Sequence, residues 1–594
     1  MTDIAAETYQ DLIKEAFIAP IRTVTIIDDE YPTLQELLQQ SDSKKLVKSN
    51  NISRLMKISE MCHKTHNWSL DVFDGQSPRI GEDNDIPDHL NHSDLLILDY
   101  HLDGEPPTDD GARSRKIIKK LDLNNHFNII LVHTKGVEEN IEDVYEEILF
   151  DLNPVKKPDF LEVSEDSKDK IEAWLDENDD GSEYSWLSED TNYSKTKTLE
   201  LLECSNYKLF FAMRNPQHLF YPHHNEISSL SGLMDVEQND LIKWRLLEIC
   251  KNQKITFTDE SRSDLSWDWN DSGVNYIATG KVFISVIRKV SEDPETELFD
   301  ALCNSLNQFN ASPMHLLMAK IRHEIDDRGF EQAQKIISNR PAQAGWLFSL
   351  LSQPNESFAH DKAIDLHWEQ LGRASKASLR KFSQRMSEAL AKQDSAKNIV
   401  KDFFRECIGN ADESCSHLNA FTCSMPVVSR HLNTGTVFCF DKEYWVCLTP
   451  ACDLVPGQKA QWSERIGDHS LAFKAVKLHE VSFSLANSKA LTNEYIYLNL
   501  EDSTSIKVFA FLESPNANPV WDTFFANNQG RLFDSNKIGL ACVREIEESL
   551  QLISPEAEVV AELRYEYALN LLQRLGANQT RVGLDFIQKD KLWQ

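Results

Sequence analysis

The sequence predicts a parallel α/β domain at the N-terminal end, then a mainly helical middle region, then a β-rich α+β domain. Three observations carry that reading. Short, continuously apolar strands alternate with helical patterns as far as about Leu175, which implies a parallel sheet covered on both faces. Helical periodicity dominates from Ser312-Pro313 to about Cys407. After Thr436 the spacing turns to short β-branched and aromatic runs around tight turns.

Taken in order, Thr23–Ile27 is a β-branched run that ends in Asp28-Asp29-Glu30. A long amphipathic region from Thr33 to about His66 precedes a strand at Ser69–Phe73. Asp94–Leu98 is a strand whose continuous apolar run, Leu95–Leu98, stops at Asp99. The helix Gly111–Leu121 leads to the strand Asn128–His133, and Glu138–Leu152 is the next helix. A short strand then ends at Lys156-Lys157-Pro158. Val282–Val286 is an isolated strand signal in the middle region. Ser312-Pro313 supplies a capping hydroxyl and a first-turn proline for a helix to Gly329. Further helices are expected at Glu331–Ser338, Pro341–Ser352 and about Lys376–Cys407. Thr436–Phe440 with Tyr444–Leu448, and Glu494–Leu500 with Ile506–Leu512, read as two hairpins. A final helix is expected from Ser554-Pro555 to Gly576. Asp179-Asp180-Gly181-Ser182 reads as a linker, so the expected domains are 1–180, 181–410 and 411–594.

The 594 residues are enough for several cores, and 41% apolar with 26% charged residues is an ordinary globular mixture. The net charge is −33 and the pI is near 5.0. Direct nucleic-acid binding is therefore not expected, because it needs a basic face toward phosphates. No apolar run reaches the roughly 18 residues of a membrane span. The acidic start at Asp3 and Glu7 lacks a secretory pattern, so a cytoplasmic location is expected. From Val137 to Glu200 there are 21 Asp/Glu against 6 Lys/Arg, which reads as a solvated face and linker.

In an open α/β sheet the carboxyl ends of the strands line one crevice. Asp28, Asp29, Asp99 and Thr134 each stand at such an end, and Lys157 follows the short strand after them. Carboxylates gathered in one crevice repel each other unless a cation is present, and an oxygen-only donor set suits Mg²⁺. A carboxylate beside Mg²⁺, a hydroxyl and an ammonium has the groups needed to attack phosphorus.

The runs TVTIIDDE, DLLILDYHLDG and NIILVHT with the KKP turn together resemble the receiver domain of two-component response regulators, over about Ile21–Leu175. The resemblance implies a flavodoxin-like fold with a five-stranded parallel sheet. It makes Asp99 the phospho-acceptor and Asp28 and Asp29 the Mg²⁺-holding pair, with the backbone carbonyl of His101 as a further ligand. Thr134 would follow the phosphoryl group, Lys157 would contact it, and Pro158 is the proline that commonly follows that lysine. It also implies a sensor histidine kinase or phosphotransfer protein as donor, and an effector or a second copy of the chain as further partner. Two departures stand out. Asp29 and Asp99 are 70 residues apart, and Lys135 replaces the usual small residue after Thr134. Lys135 or Lys156 is an alternative to Lys157.

Beyond the receiver-like part no output module is recognisable. The layout loosely resembles large receiver-containing proteins from bacterial conflict and phage-defence neighbourhoods. Cys407, Cys415, Cys423, Cys439, Cys447 and Cys452 share a stretch with His417 and His431, but without the tight pairs of a zinc site. The main expectation is a phosphorylation-responsive signalling protein. The alternative is a receiver-regulated enzyme or metal-binding effector centred on Cys452, with His431 and Asp453.

Overall fold

The computed structural model describes residues 7–580 except 39–48, 76–87, 105–107, 136–139, 179–183, 188–192, 204–215, 217, 260–261, 263, 271, 290–292, 353–356, 459–462, 501–505 and 515–516. The linker expected at Asp179–Ser182 lies outside the described residues, as do the first residues of the helix expected from Glu138. The chain divides into two compact units, Met1–His323 and Glu324–Gln594.

In the first unit α1 (Tyr9–Phe17) opens on a capping box between Thr8 and Asp11. Then come β1 (Thr23–Ile27), α2 (Leu34–Leu38), α3 (Ser49–Glu60), β2 (Ser69–Phe73), β3 (Leu95–Asp99), α4 (Ala112–Asp122), β4 (Asn128–Thr134) and α5 (Ile141–Leu152). One turn of π-helix, Met61–His66, extends α3. The chain continues through β5 (Val155–Lys156), α6 (Glu165–Glu177), α7 (Lys195–Glu203), α8 (His224–Met234), α9 (Gln238–Asn252), β6 (Phe257–Thr258), β7 (Ser266–Trp269), β8 (Asn275–Ala278), β9 (Val282–Arg288) and α10 (Ala301–Phe309).

The main sheet has seven strands in the order β2-β1-β3-β4-β9-β8-β7. Its first five are parallel, and β8 and β7 add to β9 antiparallel. This corrects the expected fifth strand. Val155–Lys156 is not in the main sheet, because it pairs with β6 in a separate two-stranded sheet. The place beside β4 belongs to β9, in register from Asn128↔Val282 to Thr134↔Arg288. The physical reason is burial. Six consecutive residues of β9, Val282 to Ile287, are buried, as a strand covered on both faces requires, whereas β5 offers one apolar side chain. The sheet therefore draws its last three strands from beyond the boundary expected at residue 180.

The segment between β5 and β9 packs onto the same core as the sheet. Trp186, Leu199, Phe220, Ile227 and Leu246 join Leu96, Ile117 and Val132 in one buried cluster. Two polar ties fix it. The Tyr145 hydroxyl donates to the carbonyls of Asp268 and Tyr276, and Asp122 accepts from Thr279 Oγ1 at 2.7 Å and from Arg262.

The second unit takes over within α11 (Pro313–Ile337), which runs through Gly329 rather than ending there. A mid-helix glycine costs only about 1 kcal/mol, which tertiary packing overrides. Helices α12 (Arg340–Ser352), α13 (Ser357–Gln393), α14 (Ala396–Phe403) and α15 (Ala411–Cys423) follow. The rest is an antiparallel sheet. It comprises β10 (Ser424–Met425), β11 (Thr436–Phe440), β12 (Glu443–Cys447), β13 (Ser470–Glu480), β14 (Tyr495–Leu498), β15 (Lys507–Ala510), β16 (Trp521–Asn527), β17 (Lys537–Ile546), β18 (Ser549–Ile553) and β19 (Glu556–Leu563).

Both expected hairpins form. Because β19 pairs with both β11 and β17, the strands β19-β11-β12-β13-β16-β17 close into a barrel around Phe438, Phe473, Phe524 and Val559. The final helix, α16 (Tyr565–Gln579), starts later than expected. Ala557, Val559, Ala561 and Leu563 are buried at period two, so this stretch is strand and not helix.

Candidate phosphoryl-transfer site

Four parallel strand ends meet at one edge of the main sheet, and each supplies a polar side chain. Asp28 follows β1, Asp99 closes β3, Thr134 closes β4 and Lys289 follows β9. The Lys289 amide donates to the Thr134 carbonyl at 2.7 Å, which fixes the end of β9 against β4. Lys289 Nζ lies 2.8 Å from Asp28 Oδ2 and 3.1 Å from Asp99 Oδ2, with both carboxylates buried and the lysine side chain only 7% exposed. Carboxylate oxygens of Asp28, Asp29 and Asp99 all lie within 4.8 Å of one another. The lysine in the pocket is thus Lys289. Lys156 and Lys157 are exposed beside β5, and Lys135 pairs with Glu30 Oε1 at 2.5 Å on the rim.

The electrostatics follow from crowding. Burial, then the neighbouring Asp28, pushes the Asp99 carboxyl well above the usual range, with Lys289 opposing. Burial, Asp28 and Glu30 raise Asp29 to about 6. Burial acts to lower Lys289, but Asp28 and Asp99 outweigh it and hold the ammonium charged. One ammonium cannot neutralise three carboxylates, so the cluster calls for further positive charge.

Neighbouring groups hold the site in shape. Glu30 N–H donates to Asp28 Oδ1 at 2.9 Å, and Ser114 Oγ–H donates to the Asp99 carbonyl at 2.8 Å. Asp109 organises the loop that carries His101, accepting from the Asp103 and Gly111 amides at 2.9 Å each. Gly111 has φ +70°, and a side chain there would run into the Tyr100 ring. The Thr134 side chain is fully buried, and its hydroxyl has no hydrogen-bond partner among the described residues. A buried orphan hydroxyl is a group free to turn toward a new acceptor.

Sequence reasoning missed a second layer. His133 pairs in register with Asp99 across the strands. Its Nε2 lies 2.5 Å from Glu297 Oε1 and 3.2 Å from Arg54 Nη2, and Arg54 also pairs with Glu297. Burial lowers His133 to about 4. Arg54 and Glu297 lie 243 residues apart, so no local pattern reveals them.

Residues 20–183 match the family of response receiver domains. This segment is a response receiver domain. The match spans 164 of 594 residues and ends before β9, so Lys289 lies beyond it. No curated protein and no solved structure matches the chain. A receiver domain means phosphorylation-responsive signalling of the two-component kind, with a histidine kinase or phosphotransfer protein as its counterpart. Such domains typically hold Mg²⁺ through acidic residues at the phosphorylation site. The Asp28, Asp29 and Asp99 donors fit that ion: they are oxygen-only, mutually repelling and close enough to share one cation. No helix among the described residues is long and apolar enough to cross a membrane.

The C-terminal cysteines are not gathered into a metal centre among the described residues, where the three aspartates form the only such cluster found. Cys447 and Cys542 line the barrel core and Cys423 a separate one. The ring nitrogens of His431 face the carbonyls of Leu432 and Gln529. Cys452 is exposed and lies 3.5 Å from Asp453 Oδ1. A cleft of about 450 Å³ nearby is lined by Thr449, Asp453, Lys474, Thr523 and Gln579, among others, but not by Cys452.

Proposed function

We propose that Asp99 accepts a phosphoryl group from a histidine kinase or phosphotransfer protein, and that the rest of the chain reads out the modified state. The observation that carries this reading is Lys289 Nζ reaching Asp28 and Asp99 together from a strand far along the chain. The Asp99 carboxylate attacks phosphorus, forming an acyl phosphate as the donor's bond to phosphorus breaks. Lys289 sits beside the attacking oxygen, where the phosphoryl oxygens would gather charge, and desolvation strengthens that attraction. Asp28, Asp29 and the His101 carbonyl would hold Mg²⁺, which when bound neutralises charge on the transferring group.

Thr134 would turn its free hydroxyl to a phosphoryl oxygen. That movement pulls on the β4 end, from which the acidic helix α5 follows, and so links modification to the surface. The experiment is beryllofluoride binding by the full chain with Mg²⁺, read by fluorine NMR. A bound resonance in the parent that is absent from Asp99→Asn supports the reading. Equal signals in both would refute it. The reading centred on Cys452 draws no support from the surroundings of that thiol. The defence context drawn from the overall layout likewise gains nothing from the site.

A further inference from the structure

Helix α12 has no buried residue, although Trp346, Leu347, Phe348 and Leu351 are 40%, 50%, 74% and 66% exposed. At 100° per residue those four positions look in several directions around the axis, so no face of the helix is buried within its own unit. A helix apolar on several sides normally lies in an interior, and 13 residues alone are marginal in water.

The first half of α13 continues the pattern. Ile364 and Trp368, one turn apart, are each 64% exposed, and Leu366 is 50% exposed. The second half of the same helix is packed through Phe382, Met386 and Ala389. The Trp346 and His367 rings meet at 5.6 Å and hold the two helices side by side.

We propose that α12 and the N-terminal half of α13 are the interface of a homodimer, two such helical pairs packing as a four-helix bundle. Area and charge argue for a second copy as occupant. Covering all seven side chains removes at most about 800 Å² per copy, taking roughly 150–250 Å² for a large side chain fully exposed. That equals the share one partner gives to an interface of standard size, and exceeds the largest apolar patch of a typical monomer. The chain as a whole carries −33, which opposes self-association. Residues 340–376 contain four Arg/Lys and four Asp/Glu, so two copies of this segment meet without net repulsion. The segment also lacks the excess of basic charge that would draw it to an anionic membrane.

The test is sedimentation of the full chain at micromolar concentration and about 150 mM salt. The parent is expected to be a dimer. Phe348→Glu with Leu351→Glu weakens association at least about 100-fold, while the unfolding temperature of the monomer stays unchanged because both side chains face solvent there. Phe348→Ala gives a smaller weakening. The exposed edge strand β18 is the control, and Leu552→Lys leaves the dimer intact. A parent that is monomeric throughout overturns the proposal. So does a dimer that survives the α12 changes but dissolves with Leu552→Lys, or a monomer that binds phosphatidylcholine vesicles through Phe348.

Discussion

Replacing Lys289 by Met keeps most of the side-chain volume and removes the ammonium that lies 2.8 and 3.1 Å from two buried carboxylates. Breaking a buried pair from one side costs roughly 3–5 kcal/mol. Proton uptake by the pocket sets a lower ceiling on that cost. The pocket can compensate by taking up a proton, and because crowding already holds Asp29 at about 6 and Asp99 above the usual range, that uptake costs only about 1–2 kcal/mol at pH 7. The loss should therefore be about 1–2 kcal/mol at pH 7 and fall below about 1 kcal/mol at pH 5, where a carboxyl of the pocket already holds a proton. The sign agrees with the lysine itself. Its pKa is raised in the folded state, so its stabilising contribution is complete at neutral pH and is lost only in strong alkali. The assay is urea unfolding of the full chain without Mg²⁺ at both pH values, with beryllofluoride binding measured in parallel. Lys289→Met loses stability and binding, while Lys157→Met, exposed beside β5, changes stability by less than about 0.5 kcal/mol. If Lys157→Met carries the loss and Lys289→Met matches the parent, the assignment of the fifth strand is wrong.

Three further outcomes are expected. A fragment of residues 1–180 lacks β9 and Lys289 and leaves one edge of β4 unpaired, so it shows no cooperative unfolding in a urea titration, whereas residues 1–323 do. Thr134→Val removes a hydroxyl without a described partner, so it costs less than about 1 kcal/mol. It should nevertheless abolish the change in hydrogen exchange that beryllofluoride causes in α5, and a preserved change would contradict the coupling. His133 is buried and lowered to about 4 against an ordinary 6.5, so the unfolded chain takes up its proton first as the solution is acidified. Stability then falls from pH 6.5 toward 4, by about 3 kcal/mol from this residue. His133→Gln should flatten that part of the profile, and an unchanged pH profile would show that the lowered pKa is not what makes the site acid-labile.

The three aspartates were legible because each ends a strand whose continuous apolar run marks it locally, and Thr134 for the same reason. Lys289 was not. The run Val282–Val286 is visible as a strand, but nothing local says that it pairs with β4 after an excursion of more than a hundred residues, whereas Lys156-Lys157-Pro158 offers the familiar turn nearby. Arg54, His133 and Glu297 were hidden because each takes its meaning from partners distant in sequence. At the other end of the chain, Glu556–Leu563 carries a period-two pattern that was open to reading, and the Ser-Pro signal before it masked the strand. The closure of the barrel rests on β19 pairing with two strands at once, which periodicity does not encode.

The most direct test of the central claim is covalent. The full chain is incubated with acetyl phosphate, with and without Mg²⁺, and the adduct is mapped by peptide mass spectrometry. One phosphoryl group is expected on Asp99, formed only with Mg²⁺, absent from Asp99→Asn and strongly reduced in Lys289→Met. A phosphoryl group at another residue, or uptake that ignores both Mg²⁺ and Lys289, would contradict it.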